Sequence, residues 1–237
     1  MERELLISYA LFYGGEYMAI RKGIREQIPV PMKHVDNALT IFDQEYPSEL
    51  HDLRYPPYVL FYKGDLSLLK EEKIAVVGSR KPCDYALKAT ECLCRGNKDK
   101  AVISGLAKGI DSQAHRNASK TIAISGCGID RVYPYENALL YEEIGKKGLI
   151  LSEYPDRVKP YAYHFPFRNR IIAALASKIY IMQSSERSGT MTTVNEGLEL
   201  GRSIKVLPYD LFDPDGFQNN RLIYEGAEPI LSEEIAF

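Results

Sequence analysis

The sequence lacks most of the short signatures that place a protein in a catalytic or structural class. Its four cysteines form no Cys-x-x-Cys pair, and no cysteine and histidine cluster has zinc-ligand spacing. No apolar run approaches the ~20 residues of a membrane span, and the N-terminus has no charged-then-apolar signal pattern. The P-loop pattern Gly-x-x-x-x-Gly-Lys-Ser/Thr and the nucleophile elbow Gly-x-Ser-x-Gly are both missing. These absences predict a cytoplasmic protein with reduced thiols, and they give no support to P-loop hydrolysis or serine-type catalysis.

An excess of charge of one sign is also absent. Lysine and arginine number 30 against 32 aspartates and glutamates, so the net charge is -2. This balance excludes a histone-like protein held to nucleic acid by bulk charge, but it allows a local basic groove. Hydrophobic residues make up 45% of the 237 residues, which is enough to bury a large core and excludes global disorder.

Two regions differ in their apolar pattern. Residues 1–54 are predicted to form a helical N-terminal appendage, with amphipathic helices around Leu5–Phe12 and Val35–Phe42. Residues 55–237 alternate short, continuous apolar runs with segments long enough for helices. The predicted strands are Val59–Tyr62, Ile74–Val77, Ala101–Ser104, Thr121–Ser125, Leu149–Ser152, Ile179–Met182 and Ile204–Leu207. This alternation predicts an α/β fold: an extended Rossmann-like, doubly wound, mostly parallel sheet covered on both faces.

The turns that follow four of the predicted strands are rich in glycine and serine. They begin at Gly78, Gly105, Gly126 and Ser184. Ligands bind beyond the carboxyl ends of such strands, where glycine allows close approach and helix amides favour anions. Three of the turns also carry a cation, namely Arg80, Lys108 and Arg187. Together they predict a phosphate-binding edge, although any one glycine turn is equally compatible with tight packing alone.

The segment from Asp156 to Arg170 combines cations with alternating aromatic residues. Its cations are Arg157, Lys159, Arg168 and Arg170, and its aromatic residues are Tyr161, Tyr163, Phe165 and Phe167. Aromatic faces stack on bases while cations follow phosphates, as in single-strand recognition. A strand or loop that buries one aromatic face is the alternative. Arg168 and Arg170 are predicted in the first turn of a helix, where a cation opposes the helix dipole unless an anionic ligand, or a carboxylate such as Glu153, compensates it.

Asp111 and His115 are the remaining candidates for chemistry. Asp111 is predicted to cap the helix that follows the Gly105 turn. His115, four residues later, lies on the same helical face, so a contact between the two side chains is expected. A structural role is favoured over a role in the site.

An ordered set of motifs resembles the DNA-processing protein A family (DprA/Smf), from about Tyr46 to Ala227. The motifs are Gly78-Ser79-Arg80, Ser104 to Asp111 with Ala114-His115, Tyr133-Pro134 with Asn137, Ser152-Glu153-Tyr154-Pro155, Phe165-Pro166 with Arg168 to Ala173, Ser188-Gly189-Thr190, Gly201-Arg202 and Gly226-Ala227. The resemblance implies an extended Rossmann fold that binds single-stranded DNA without catalysis. It also implies a recombination mediator in DNA uptake and natural transformation, a homodimer, a RecA-type recombinase as partner, and neither metal nor organic cofactor.

The resemblance also implies the binding residues. Arg80, Lys108, Arg168 and Arg170 would contact phosphates, and Ser188, Gly189 and Thr190 would form an anion-binding helix start. The remaining predicted DNA- or phosphate-binding residues are Gly78, Ser79, Gly105, Gly109, Phe165 and Asn169. Alanine at Arg80 or Arg170 is expected to abolish most DNA affinity and to leave the melting temperature nearly unchanged.

Two other functions remain open at the level of sequence. The first is a nucleotide-binding or nucleotide-cleaving Rossmann enzyme similar to the phosphoribohydrolases, whose motif is Gly-Gly-x-Gly-Thr-x-x-Glu. Thr193 stands where that motif has its glutamate, and Glu196 lies further along. The second is a sensor that binds a small nucleotide in the same pocket.

Overall fold

A computed structural model describes residues 2–186 and 188–235 of the chain. The strands are β1 (Ala38–Thr40), β2 (Val59–Gly64), β3 (Lys73–Val77), β4 (Ala101–Ser104), β5 (Lys120–Ser125), β6 (Leu149–Ser152), β7 (Lys178–Ile181), β8 (Ser203–Val206) and β9 (Glu228–Pro229). The α-helices are α1 (Arg3–Phe12), α2 (Tyr17–Arg25), α3 (Asp84–Gly96), α4 (Ile110–Asn117), α5 (Ala138–Lys147), α6 (His164–Leu175), α7 (Gly189–Glu199) and α8 (Phe217–Tyr224). None of these helices is long and apolar enough to cross a membrane.

In this described part of the chain, nine strands form one sheet, in the order β1-β2-β6-β5-β4-β3-β7-β8-β9. The strands from β6 across to β9 are parallel, whereas β1 and β2 are antiparallel at one edge. Each of the seven predicted strands is present, within two residues at each end. The predicted doubly wound α/β fold is therefore confirmed.

Helices cover both faces of the sheet because successive residues of its inner strands are buried on opposite sides. Val77 belongs to a core that includes Ile171 of α6 and Val194 of α7. Its neighbour Val76 belongs to a core on the other face with Leu93 of α3 and Ala114 of α4. Apolar side chains on both sides explain why these strands are continuous apolar runs in the sequence.

The chain reverses its direction of travel across the sheet at β3. From β3 it adds β4, β5 and β6 on one side, and α6 then leads back to β7, which pairs with the other side of β3. The loops after β3 and β7 therefore diverge at the carboxyl ends of adjacent strands. In open parallel sheets this switch point is where ligands bind.

The N-terminal segment differs from its sequence prediction. The helix expected over Val35–Phe42 is wrong: Ala38–Thr40 is the strand β1, paired with β2. The apolar spacing fits a helix, but backbone hydrogen bonds to an available sheet edge favour the strand. Tyr46 and Leu50 then join the core of the sheet. Residues 1–54 thus pack on the same sheet as the rest of the chain.

Candidate functional site

An open cavity of about 630 Å³ lies at the switch point, beyond the carboxyl ends of β3 and β7. It is lined by Val77 to Lys81, Ala107, Asp111, Tyr133, Pro160, Ala162, Phe165, Pro166, Arg168, Asn169, Ile172, Ser185, Ser188, Gly189, Thr190 and Thr193. The turns after β3, β4 and β7 and the first half of α6 all contribute to it. The sequence prediction of a site at this edge of the sheet therefore coincides with the cavity.

The predicted site residues divide into two groups. Those that line the cavity are Gly78, Ser79, Arg80, Phe165, Arg168, Asn169, Ser188, Gly189 and Thr190. Gly105, Lys108, Gly109 and Arg170 are absent from its lining. Gly109 is nevertheless close to the cavity. The amide of the next residue, Ile110, donates to the carbonyl of the cavity residue Ser79 at 3.1 Å. Arg187, also expected at this edge, lies outside the described residues.

Positive charge predominates in the cavity. Its lining contains the cations Arg80, Lys81 and Arg168, and within the described residues Asp111 is its only carboxylate. Arg80 and Lys81 are exposed, and neither has an ion-pair partner in that part of the chain. Exposed cations without internal partners are free to meet an anionic ligand.

Arg168 forms the floor of the cavity and is almost completely buried. Its Nη1 donates to the carbonyl of Gly105 at 2.8 Å and to that of Ile124. A Cβ on residue 105 would lie 2.5 Å from Nη2, so glycine leaves the space that the guanidinium occupies. Burial lowers the pKa of Arg168 to about 10, although Asp111 favours the charged form. The guanidinium therefore holds the turn after β4 against the end of β5, a structural role that the sequence left open beside phosphate binding.

Asp111 caps the turn that precedes its own helix, rather than contacting His115. Its Oδ2 accepts from the amides of Gly105 at 3.1 Å and Ala107 at 3.2 Å. Burial raises the pKa of Asp111, and the nearby Arg168 opposes this rise. The Nδ1 of His115 instead lies 2.6 Å from Thr121 Oγ1. The helix-capping prediction is therefore wrong, because α4 begins at Ile110 with Gly109 as its N-cap residue and Asp111 bonds amides of the preceding turn instead. The expected contact between Asp111 and His115 is absent from the described hydrogen bonds.

Arg170 requires a correction. It lies in the second turn of α6, because this helix begins at His164 and not at Arg168. Its guanidinium forms two hydrogen bonds of 2.6 Å with the Glu153 carboxylate, and both side chains are buried. It also donates to the Tyr55 carbonyl at 3.0 Å and lies over the ring of Phe167. With these internal partners, Arg170 is placed to stabilise the fold rather than to contact phosphate.

Lys108 is exposed and has a single ion-pair partner among the described residues. Its ammonium pairs with the Glu136 carboxylate, and both groups remain largely in water. The pKa of Glu136 is lowered by this hydrogen bond. Exposed pairs of this kind contribute little to stability, so a stronger anion could displace the carboxylate.

The N-terminus of α7 faces the cavity with small hydroxyl residues. Ser188 precedes the helix, and Thr190 lies in its first turn. Asn169 of α6 donates to the Gly189 carbonyl at 3.1 Å and accepts from Arg168 Nε at 3.1 Å. Asn169 therefore ties the cavity floor to this helix start, where free amides and the helix dipole favour anions.

Aromatic side chains form another wall. The rings of Tyr133 and Phe165 are 5.3 Å apart, and Phe165 packs against Gly126. Tyr133 was missed as a site residue, as was Lys81; the only sequence signal for Lys81 is its position directly after Arg80. Among the described residues, Thr193 lines the cavity at the position of the phosphoribohydrolase glutamate, and Glu196 is not part of the lining. Among the described residues, no group of three His, Cys, Asp or Glu could hold a metal ion.

Comparisons with known proteins identify the family of this chain. A family model described as DNA recombination-mediator protein A matches residues 37–236. The DNA processing protein DprA of Bacillus subtilis is 39% identical over 210 residues, covering 85% of this chain and 70% of the relative. That of Streptococcus pneumoniae is 41% identical over 200 residues, covering 82% of this chain and 71% of the relative.

Solved structures give the same result. The crystal structure of Streptococcus pneumoniae DprA superposes with a TM-score of 0.81 at 32% identity, covering 98% of this chain and 96% of that one. DNA processing protein A of Helicobacter pylori, studied for its single-stranded DNA binding mode, has a TM-score of 0.76 at 34% identity, covering 82% and 91%. The chain therefore belongs to the DNA recombination-mediator protein A family, whose members are named DprA or Smf.

Proposed function

We propose that this chain binds single-stranded DNA in the switch-point cavity and acts as a recombination mediator during DNA uptake. The observation that carries the proposal is the lining of the cavity, where the exposed cations Arg80 and Lys81 and the buried Arg168 face one carboxylate beside the aromatic pair described above, of which one ring is exposed and the other half-buried. Cations follow a phosphate backbone, and aromatic faces stack on bases only when the bases are unpaired. The single-strand binding of the Helicobacter pylori relative supports the same ligand.

Strand preference tests this proposal. Labelled oligonucleotides in fluorescence anisotropy are expected to bind more tightly as single strands than as duplex, because Tyr133 and Phe165 can reach only unpaired bases. The logarithm of affinity should fall linearly with the logarithm of salt as counterions are released. Equal affinity for duplex, or no binding at low salt, contradicts the proposal.

Arg80→Ala is the sharpest test of the cavity itself. Losing one charge-assisted phosphate contact is expected to weaken single-strand binding by roughly 10- to 100-fold, from the ~1.5–3 kcal/mol of such a bond. The salt slope should flatten by about 0.7. Because Arg80 is exposed and has no ion-pair partner among the described residues, the melting temperature of the variant should match that of the parent protein.

Lys98→Ala is the matched control. Lys98 is exposed just before β4, at the amino ends of the strands, and so lies at the opposite edge of the sheet. This variant also loses one positive charge, but its affinity for single strands and its salt slope should equal those of the parent. If Lys98→Ala weakens binding as much as Arg80→Ala, the loss reflects overall charge and the cavity is not the site.

We also propose that the protein forms a homodimer and has a RecA-type recombinase as its partner, as the family resemblance implies. A dimer needs an apolar face, and large exposed side chains occur close together in sequence between β8 and the end of α8. They are Leu211, Phe212, Phe217 and Tyr224. Exposed apolar groups of this size mark protein contact surfaces, so we assign the dimer face to them.

The Phe212→Glu variant tests this face. A charge in an apolar interface must be desolvated, so the variant is expected to be monomeric in light scattering after size exclusion, whereas the parent is dimeric. Leu139→Glu on α5, at a side chain that is 81% exposed against 89% for Phe212, should remain dimeric. A monomeric parent, or a dimeric Phe212→Glu, contradicts the assignment.

A further inference from the structure

Two tyrosine rings stand in solvent beside the cavity. Tyr161 and Tyr163 are stacked, with centroids 5.7 Å apart and planes 11° apart, although their side chains are 48% and 59% exposed. They alternate with Pro160 and Ala162, which line the cavity. The rings therefore extend the aromatic surface beyond the cavity, outside the part of the site described so far.

A buried histidine supports the pair. His164 meets the rings of Tyr161 and Tyr163 edge-on and stacks on Tyr154, with centroids 3.8 Å apart. Its Nδ1 donates to the Gly126 carbonyl at 3.1 Å, and its Nε2 lies 3.0 Å from the Glu16 carboxylate. Both ring nitrogens thus have an oxygen partner, which fixes the plane on which the tyrosines rest.

Glu16 comes from the turn between α1 and α2. Its Oε1 also accepts a 2.8 Å hydrogen bond from the Tyr163 hydroxyl. Gly15 has a φ of +78°, and a Cβ there would lie 2.3 Å from the Glu153 carbonyl, so only glycine lets the turn reach the β6–α6 connection. The N-terminal segment is thereby fastened to the loop that carries the tyrosines.

The charge around the rings indicates what would cover them. Arg157 and Lys159, in the same loop, are exposed and have no ion-pair partner among the described residues. Rigid aromatic faces next to unpaired cations, continuous with a cationic cavity, are the combination that binds a nucleic acid strand. An apolar protein partner would not need these cations.

We infer that Tyr161 and Tyr163 form a base-stacking platform for nucleotides outside the cavity, held in position by Glu16 and His164. The inference rests on the proposed single-strand binding and adds a second contact along the same strand. It gives the N-terminal turn a role in DNA binding: Glu16 is a positioning residue that acts through Tyr163 and His164.

A tryptophan reporter tests contact directly, because the chain contains no tryptophan. Tyr161→Trp places the only indole in the platform and keeps the bond between Tyr163 and Glu16. Thymidylate oligomers are expected to quench its emission by stacking. Leu139→Trp, an exposed indole on α5, should not respond. Unchanged Tyr161→Trp emission at saturating DNA overturns the platform.

Strand length separates the platform from the cavity. Tyr161→Ala is expected to weaken binding of a long thymidylate strand by about 5- to 150-fold, the range for one stacked base. A thymidylate dinucleotide, which the cavity alone can hold, should bind this variant as it binds the parent. Tyr161 is exposed, so melting should not change. Parent-like affinity for the long strand contradicts the inference.

The role of Glu16 needs a readout beyond stability. Glu16→Ala and Tyr163→Phe each remove one partner of the same hydrogen bond, so their effects on long-strand affinity should be less than additive in a double-mutant cycle. Glu26→Ala, an exposed control on the same segment, should bind normally. Fully additive effects overturn the positioning role.

The proposed function and this inference fail in different ways. If the parent binds no single strand, the proposed function is wrong. Suppose instead that the parent binds single strands and Arg80→Ala does not. If DNA then leaves the emission of Tyr161→Trp unchanged and Tyr161→Ala binds the long strand as the parent does, the cavity is the binding site and the platform is wrong.

Discussion

The Arg170→Met variant is expected to lose about 3–5 kcal/mol of unfolding free energy, because it leaves the Glu153 carboxylate buried without its partner. Arg170 and Glu153 are only 3% and 5% exposed, so water cannot replace the lost hydrogen bonds. For a chain of this size the melting temperature should fall by roughly 10 °C. Calorimetry and urea denaturation measure both quantities.

A double variant separates the ion pair from the rest of the site. Arg170→Met combined with Glu153→Leu removes both charges, and replacement of a buried pair by apolar residues is often close to neutral. We therefore expect most of the lost stability to return. Parent-like melting of Arg170→Met alone, with weakened DNA binding, would restore Arg170 to the phosphate-contact residues.

Arg168 and Arg170 show where sequence reasoning stops. Both cations stand among aromatic residues, a pattern equally compatible with binding phosphates and with holding loops together. Tertiary structure decides between these roles, since it brings Glu153 to Arg170 and the Gly105 carbonyl to Arg168. Glu153 was identifiable as a possible partner from the sequence, but its burial was not.

The parallel sheet could be predicted because its inner strands are apolar on both faces and so give continuous runs. The edge strand β1 could not. Its three residues lie within an apolar spacing that fits a helix, and only the exposed edge of β2 selects the strand. The cavity could also be located from the glycine turns, because the residues that form a βα turn are adjacent in sequence. The partners of an arginine are distant in sequence, so they could not be predicted in the same way.

Acid is expected to destabilise the protein through His115. Burial lowers the pKa of His115 from 6.5 to about 3. The unfolded chain therefore takes up a proton that the folded chain refuses, and stability present above pH 6.5 is lost as pH falls toward 3. Over that window the loss is about 5 kcal/mol, or about 1.4 kcal/mol per pH unit.

The His115→Gln variant isolates this proton. Its unfolding free energy by urea denaturation should be lower than the parent's at pH 7, because the Thr121 contact is altered, but should decline less steeply between pH 6 and pH 4. The difference in slope should approach ~1.4 kcal/mol per pH unit, since every other titrating group is shared. Parallel curves would mean that His115 is protonated in the folded state.

His115 also bears on the cavity, because its Nε2 accepts from the Leu106 amide at 3.4 Å and only the neutral imidazole has this acceptor. Leu106 lies between Gly105 and Ala107, whose amides donate to Asp111, so the neutral imidazole of the folded protein also supports the turn under Arg168.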